Sequence, residues 1–301
     1  DGNNVAIGYT AGQLMTSGIR NTVIGSLSGD ALTTGMQNTF VGFNSGSGTT
    51  TQSYNTAIGD SALSTNINGA RNVAIGNAAL STMNPASSTD TYNVAVGYDA
   101  GTAVTTGTAN TIIGGLAGNA LTTGIDNAVL GYNALSTEDT GSRSIAIGRE
   151  ALRDQNFDGS AYNVAVGYQA GYSVTTGIRN VLVGGLTGDA MTTGVDSVAV
   201  GDNALGALTI GNNNVAIGKD ALATSVDGDY NVAVGYESLK TYEDGDGNGF
   251  NTAIGARSQK AATTGELNTS LGYNSMGVGV LVGNGNVAIG NNAGRATTSG
   301  A

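Results

Sequence analysis

Short apolar runs return along the whole chain at an almost constant interval. In most copies, Asn precedes three apolar or β-branched residues and Gly follows them, first as Asn4-Val5-Ala6-Ile7-Gly8. There are seventeen copies, and twelve of the sixteen intervals between their glycines are 17 residues. The other four intervals are 18, 19, 20 and 21 residues. A short period kept over a whole chain is typical of a solenoid, in which each repeat forms one coil stacked on the last.

Each motif predicts a β-strand, because β-branched residues stand at every second position. The residue before the motif Gly is Ile, Val or Leu in every copy, and Val or Thr dominates two positions earlier. We expect these two columns to form the buried face. The position between them is Ala in eleven copies and is never charged, which indicates that the opposite face is covered as well. Neighbouring chains would cover it, with the alanine column near the symmetry axis of a homotrimer. The alternative is a monomer whose coil wraps around both faces.

Asn and Gly at the two ends of the motif predict structural roles. Asn opens fifteen copies, with Ser144 and Ser197 as the exceptions. It is either a turn residue that bonds its own backbone or one step of an asparagine ladder between coils. We expect the motif Gly to leave the strand at a backbone angle that other residues resist.

The rest of the repeat predicts a tight turn, a weaker strand and a second turn, often Thr-Thr-Gly as at 33–35. The position after the motif Gly should point outward, and it includes Tyr98, Tyr168 and Tyr236, the three candidate receptor contacts. The longer intervals predict loops at 84–90, 154–160 and 244–249.

The chain is therefore expected to be one continuous array over residues 1–301. The fold class is all-β, a parallel β-solenoid of about 17 coils with a 17-residue repeat. Stacked at about 4.8 Å each, the coils would span about 80 Å. Both ends fall close to or within a repeat, as expected of a fragment cut from a longer fibre chain.

Composition narrows the function classes. The chain has 50 Gly, four Phe and no Trp, which favours a thin core. Its net charge of −11 argues against nucleic acid, because binding to phosphates needs clustered Lys and Arg. Cys and His are both absent, which removes thiolate metal sites and the commonest general base. No apolar stretch approaches the roughly 18 residues of a membrane span, so membrane insertion is not expected.

Three patterns offer candidate chemistry. Asp244, Asp246 and Asn248 imitate the first half of a calcium loop, but Gly255 stands where the bidentate Glu should be. No cofactor is therefore expected, with calcium as the open alternative. Paired carboxylates could serve a polysaccharide depolymerase. They are Glu138, Asp139, Glu150, Asp154 and Asp158. The repeated threonine pairs could order water in an ice-binding protein.

The motif resembles the head repeats of trimeric autotransporter adhesins, where Asn-x-Val-Ala-(Ile/Leu)-Gly recurs along a left-handed parallel β-roll. The 17-residue spacing with Gly167-Tyr168-Gln169-Ala170 and Thr175-Thr176-Gly177 is more similar to repeats in phage and bacterial tail-fibre-domain proteins. The resemblance covers the whole chain and implies homotrimers, exposure on a cell or virion surface, and adhesion.

These observations predict a non-enzymatic fibre segment, either shaft or head, of a virus fibre or a bacterial surface adhesin. It would act as a rigid spacer and a module for attachment to a host or a surface, with a cell-surface glycan or receptor as a further partner. The alternatives are an ice- or glycan-binding solenoid and a depolymerase spike.

Overall fold

A computed structural model describes residues 2–243 and 247–296, and these residues form strands and turns without a helix. The chain groups into two compact units, Asp1–Ile147 with Asn156–Ser160, and Gly148–Gln155 with Ala161–Ala301. Each unit is a parallel β-solenoid, which confirms the predicted fold class. No helix long and apolar enough to cross a bilayer is found in the described part of the chain.

The first unit holds nine coil strands that pair in chain order, together with a two-stranded sheet made by β5 and β7. Its strands are β1 (Val5–Ile7), β2 (Thr22–Ile24), β3 (Thr39–Val41), β4 (Thr56–Ile58), β5 (Gly69–Ala70), β6 (Val73–Ile75), β7 (Thr89–Asp90), β8 (Val94–Val96), β9 (Thr111–Ile113), β10 (Ala128–Leu130) and β11 (Ile145–Ile147).

The second unit holds eight coil strands that also pair in chain order. They are β12 (Val164–Val166), β13 (Val181–Val183), β14 (Val198–Val200), β15 (Val215–Ile217), β16 (Val232–Val234), β17 (Thr252–Ile254), β18 (Thr269–Leu271) and β19 (Val287–Ile289).

The strands of each unit are stacked in register, so that equivalent motif positions become neighbours. In β14 and β15, for example, Val198 pairs with Val215 and Val200 with Ile217. Residues at one position of the repeat therefore lie in a row along the solenoid, separated by the distance between neighbouring strands.

The assignment of the two strand faces from the sequence was wrong. The middle column is the interior of the solenoid: apart from Ala6, its members are buried, and most are completely inaccessible within the single chain. The flanking columns of Ile, Val and Thr point outward and are half-buried or exposed in every coil strand. The alanine column therefore lies inside one chain and not at an axis between chains.

Side-chain size explains this inversion. The interior is thin: the three largest residues of the middle column, Phe40, Ile112 and Leu182, are each followed by Gly six positions later, whereas six of the eleven Ala are followed by Leu. Phe40 is followed by Gly46, and a Cβ added at Gly46 would lie 2.6 Å from Phe40 Cδ1. Ala57 is followed by Leu63, and both are completely buried. Most coils from Val23 to Leu239 thus carry a large side chain at one of the two positions, as expected of a close-packed core.

The asparagine ladder is confirmed. The backbone N–H of Asn110 donates to Asn93 Oδ1 at 3.0 Å, and that of Asn127 donates to Asn110 Oδ1 at 3.0 Å. Asn110 Nδ2 also donates to the carbonyl of Gly124 at 2.8 Å. Each amide therefore links its own coil to the next and satisfies polar groups that are fully buried. Where Ser197 replaces Asn, its Oγ accepts from the N–H of Asn214 at 3.2 Å.

The motif Gly is required for conformation and for space. Gly97 has a φ of +142°, a region that other residues rarely adopt. A Cβ at this position would also lie 2.5 Å from the carbonyl oxygen of Gly114 in the next coil. The prediction of an unusual backbone angle is thereby confirmed.

The weaker strand predicted after this glycine is not present in the described residues. The segment forms successive turns in which left-handed residues recur, such as Asn133 at φ +57° and Leu135 at +48°. Backbone bonds to the following coil still hold these turns, as between Leu63 N–H and the carbonyl of Ala79 at 3.1 Å. Left-handed backbone replaces a second strand because it bends the chain tightly around the thin core.

Candidate interaction surfaces

The outer face of the coil strands, which we call the outer strand face, is an extended apolar feature of the described surface. It consists of the first and third residue of each coil strand, and in each unit it is a row of aliphatic and threonine side chains. Its more exposed members include Ile58, Leu130, Ile145, Val200, Ile217, Ile254 and Leu271. Continuous apolar surface of this kind marks an interaction site on a soluble protein.

The three tyrosines predicted as receptor contacts are exposed, but the structure does not bring them together. Tyr98 belongs to the first unit, whereas Tyr168 and Tyr236 belong to the second. Gly185, Asp202 and Lys219 stand between the latter two in the same column. A hydrogen bond with Asp99 raises the pKa of Tyr98. Each tyrosine is therefore an isolated aromatic contact.

The predicted calcium loop falls mostly outside the described residues, since Asp244 and Asp246 are not among them. Asn248 is described, and it forms a parallel bridge with Asp229. Within residues 2–243 and 247–296, no group of three or more acidic side chains is placed to hold a metal ion.

The other two insertions return to the coil through backbone pairing. In the first, β7 pairs with β5 and the carbonyl of Pro85 accepts from Asn68 Nδ2 at 2.9 Å. In the second, Ser160 forms a parallel bridge with Ser142. These contacts anchor the ends of the loops to the second turn of the coil.

Four of the five carboxylates considered for hydrolysis contact a separate local partner, whereas Asp139 Oδ1 is buried without a hydrogen-bond partner among the described residues. Glu138 is completely buried, and its Oε1 accepts from the N–H of Gly141 at 2.7 Å. Asp154 forms a bidentate pair with Arg153, at 2.7 and 2.8 Å. The other three have these contacts: Glu150 accepts from Gln169 at 2.7 Å, Asp158 from Thr140 at 2.6 Å, and the carbonyl of Asp139 from Thr122 Oγ1 at 2.8 Å. Such pairing supports turns and loops.

The threonine pairs are divided between two roles. The first member donates its hydroxyl to the carbonyl one coil further on, as Thr105 does to Thr122 at 3.3 Å and Thr175 to Thr192 at 3.1 Å. The second member is exposed, as at Thr106 and Thr176. Half of these hydroxyls therefore connect coils, and the other half are exposed.

A cluster of charges in the second unit was not predicted from the sequence. Glu237 is almost buried and contacts Lys260 at 2.6 Å, Lys240 at 3.1 Å and Arg257 at 3.1 Å. Hydrogen bonds from these groups, chiefly Lys260, lower the pKa of Glu237 to about 2. The cations are far apart in sequence, but coil register would have revealed them. Lys240 and Lys260 stand five residues after the motif Gly of consecutive coils, as does Arg295 two coils later.

Comparison with known proteins adds no family assignment. No family model matches the chain, and no curated protein matches it in sequence. The resemblance to fibre repeats is carried by the motif itself.

Proposed function

We propose that this chain is a segment of a homotrimeric fibre, either shaft or head, from a virus tail or capsid fibre or a bacterial surface adhesin. It acts on the virion or cell surface as a rigid spacer and attachment module. The outer strand face is the observation that carries this proposal. Parallel sheets are normally covered on both faces, and a single chain covers only the inner one.

A second copy of the same chain suits this face better than an unrelated partner. Side chains on the face repeat at the spacing of the coils, because the strands are in register. Another copy presents the same spacing, so that contacts made in one coil can recur in the next. The number of three subunits comes from the resemblance to trimeric fibre repeats.

The interior supports the spacer role. Each coil is tied to the next by strand hydrogen bonds and by the asparagine ladder, as from Asn38 to Asn21 Oδ1 at 2.9 Å. Bending the solenoid would stretch these bonds on one side, and many of them are fully buried. Such an array resists deformation along its axis.

The first test is the absolute mass of the purified chain by light scattering, for which we expect three times the chain mass of 29.7 kDa. The decisive variant is Ile217→Lys, because Ile217 lies in the outer strand face with 40% of its side chain exposed. A charge at this position should dissociate the oligomer, since burying an unpaired charge is costly. Ile210→Lys is the matched control, because Ile210 lies in a turn and is 43% exposed.

Circular dichroism should show that both variants keep the β-structure of the wild type. A trimer that survives Ile217→Lys would mean that the outer strand face is not the contact. A monomeric wild-type protein would refute the fibre proposal.

A further inference from the structure

A cleft at one end of the second unit is lined by cations, although the chain as a whole is acidic. The cavity measures about 420 Å³, and its lining includes Arg257, Lys260, Arg295, Tyr273, Asn274 and Val278. None of the lining residues is a carboxylate. Its volume lies within the range typical of small-ligand sites, roughly 300–1,000 Å³.

Coil register explains how the cleft forms. Lys260, Gly277 and Arg295 stand five residues after the motif Gly of three consecutive coils, and in this column Gly277 has no side chain. The gap between a lysine and an arginine is thus left open. A Cβ at Gly277 would lie 2.5 Å from the carbonyl oxygen of Arg257, so that this glycine cannot readily be replaced.

The charges at the cleft exceed what the local carboxylates neutralise. Elsewhere in the described residues, six cations have one acidic partner each. Here Lys240, Arg257 and Lys260 share Glu237, and only Lys240 also reaches Asp220, at 3.4 Å. Arg295 is exposed and has no ion pair with any described carboxylate. The described charged side chains around the cavity therefore carry a net positive charge.

The remaining lining indicates that the ligand has a ring as well as a charge. Tyr273 presents an exposed aromatic side chain, and Val278 adds an apolar surface. Asn274 is buried, and its Nδ2 donates to Asn292 Oδ1 at 2.9 Å. Positive charge and an aromatic ring together match a carboxylated pyranose, with its carboxylate toward the cations and its C–H face on the tyrosine.

We propose that this cleft binds an acidic sugar, through Arg257, Lys260 and Arg295 on the carboxylate and Tyr273 on the ring. The assignment names a ligand class for the attachment role proposed above and rests on that role. It concerns a different surface from the outer strand face, so the two can fail independently.

The experiment uses the full chain and two probes that differ only at the carboxylate, methyl β-D-glucuronide and methyl β-D-glucoside. Ligand-detected NMR titration suits the weak binding of a single sugar. We expect saturable binding of the glucuronide, with the glucoside at least about tenfold weaker, since the glucoside lacks the carboxylate that would form charge-assisted hydrogen bonds. Sodium sulfate is the third probe, as an anion without a ring.

Two variants separate the contributions of charge and ring. Arg295→Gln should weaken glucuronide binding about tenfold without changing the melting temperature, because Arg295 has no described ion pair to lose. Arg20→Gln is the matched control: Arg20 is also exposed and without a described ion pair, but it lies in the first unit. Tyr273→Ala should weaken the glucuronide and leave sulfate binding unchanged.

Equal binding of the two glycosides, or glucuronide binding unaffected by Arg295→Gln, would refute the acidic-sugar site. Sulfate binding as tightly as the glucuronide, with both insensitive to Tyr273→Ala, would overturn the assignment to a sugar. A trimer that fails to bind glucuronide refutes this site and leaves the fibre proposal standing. A monomer that binds it supports the site and refutes the trimer.

Discussion

The exchange of large and small side chains inside the solenoid can be tested by moving bulk from one position to the other. Phe40 is completely buried and Gly46 is packed against it, whereas the next coil has the opposite arrangement, Ala57 with Leu63. The backbone is almost the same at the two sites, with φ of +59° at Gly46 and +52° at Leu63. The double variant Phe40→Ala/Gly46→Leu therefore copies an arrangement that the protein already contains.

Each single change should be costly. Phe40→Ala leaves a cavity, and such truncations cost about 3–5 kcal/mol. Gly46→Leu places its Cβ 2.6 Å from Phe40 Cδ1, and overpacking costs about 1–3 kcal/mol. The left-handed backbone adds roughly 1–2 kcal/mol for any residue other than Gly. If the two sites were independent, the double variant would lose about 5–10 kcal/mol, the sum of these ranges.

We expect the double variant to lose only about 1–2 kcal/mol, because the new Leu fills the cavity and only the backbone strain remains. The coupling free energy should thus be at least about 3 kcal/mol. Guanidinium unfolding gives the overall stability, and amide hydrogen exchange in Thr39–Val41 reports on the coil itself, since repeat arrays can unfold in parts. Additive losses in the double variant would refute the size complementarity. The reverse exchange, Ala57→Phe/Leu63→Gly, is the matched control.

Three further outcomes follow from the interior and the charge cluster. Asn110→Ala should lower the free energy of chemical unfolding by about 2–5 kcal/mol, because it leaves two buried backbone groups without a hydrogen bond. Ser197→Ala should lower it less, because Ser197 Oγ bonds only one such group, and equal losses would contradict the ladder. Gly97→Ala should shift the melting temperature down strongly through its contact with the next coil, and an unchanged melting temperature would contradict that contact. Because the folded pKa of Glu237 is lowered from 4.5 to about 2, its stabilisation is complete above pH 4.5 and disappears as the pH falls toward 2. Melting curves of wild type and Glu237→Gln should therefore converge at low pH, and a constant gap would refute the lowered pKa.

Much of the fold could be predicted because a repeat compares seventeen versions of one coil. The period, the strand, the ladder and the motif glycine can each be recognised from the residue types at one position of the repeat. The two strand faces were exchanged because Ile looks more like a core residue than Ala does. The deciding information is the pairing of two columns, such as Phe40 with Gly46 against Ala57 with Leu63, which limits the width of the interior.

The cationic cleft was not found from the sequence for a related reason. Lys260 and Arg295 are remote along the chain, and intervals of 17 and 18 residues separate their motifs. Alignment of the coils at the motif glycine places Lys260 and Arg295 on either side of Gly277, where the missing side chain leaves the gap. Side-chain positions were also needed to show that Glu237 is shared by three cations.

In-register stacking has a consequence for how such a gene can change. Removing or adding 17 residues leaves every remaining side chain in its column, whereas adding one residue within a strand exchanges the inner and outer positions. Segments 92–148 and 162–218 align without a gap and share most of their motif residues, as expected when whole coils are copied. Recombination between such segments would alter the reach of the protein in discrete steps. The length of the solenoid can thus change by whole coils while the contacts between the remaining coils stay the same.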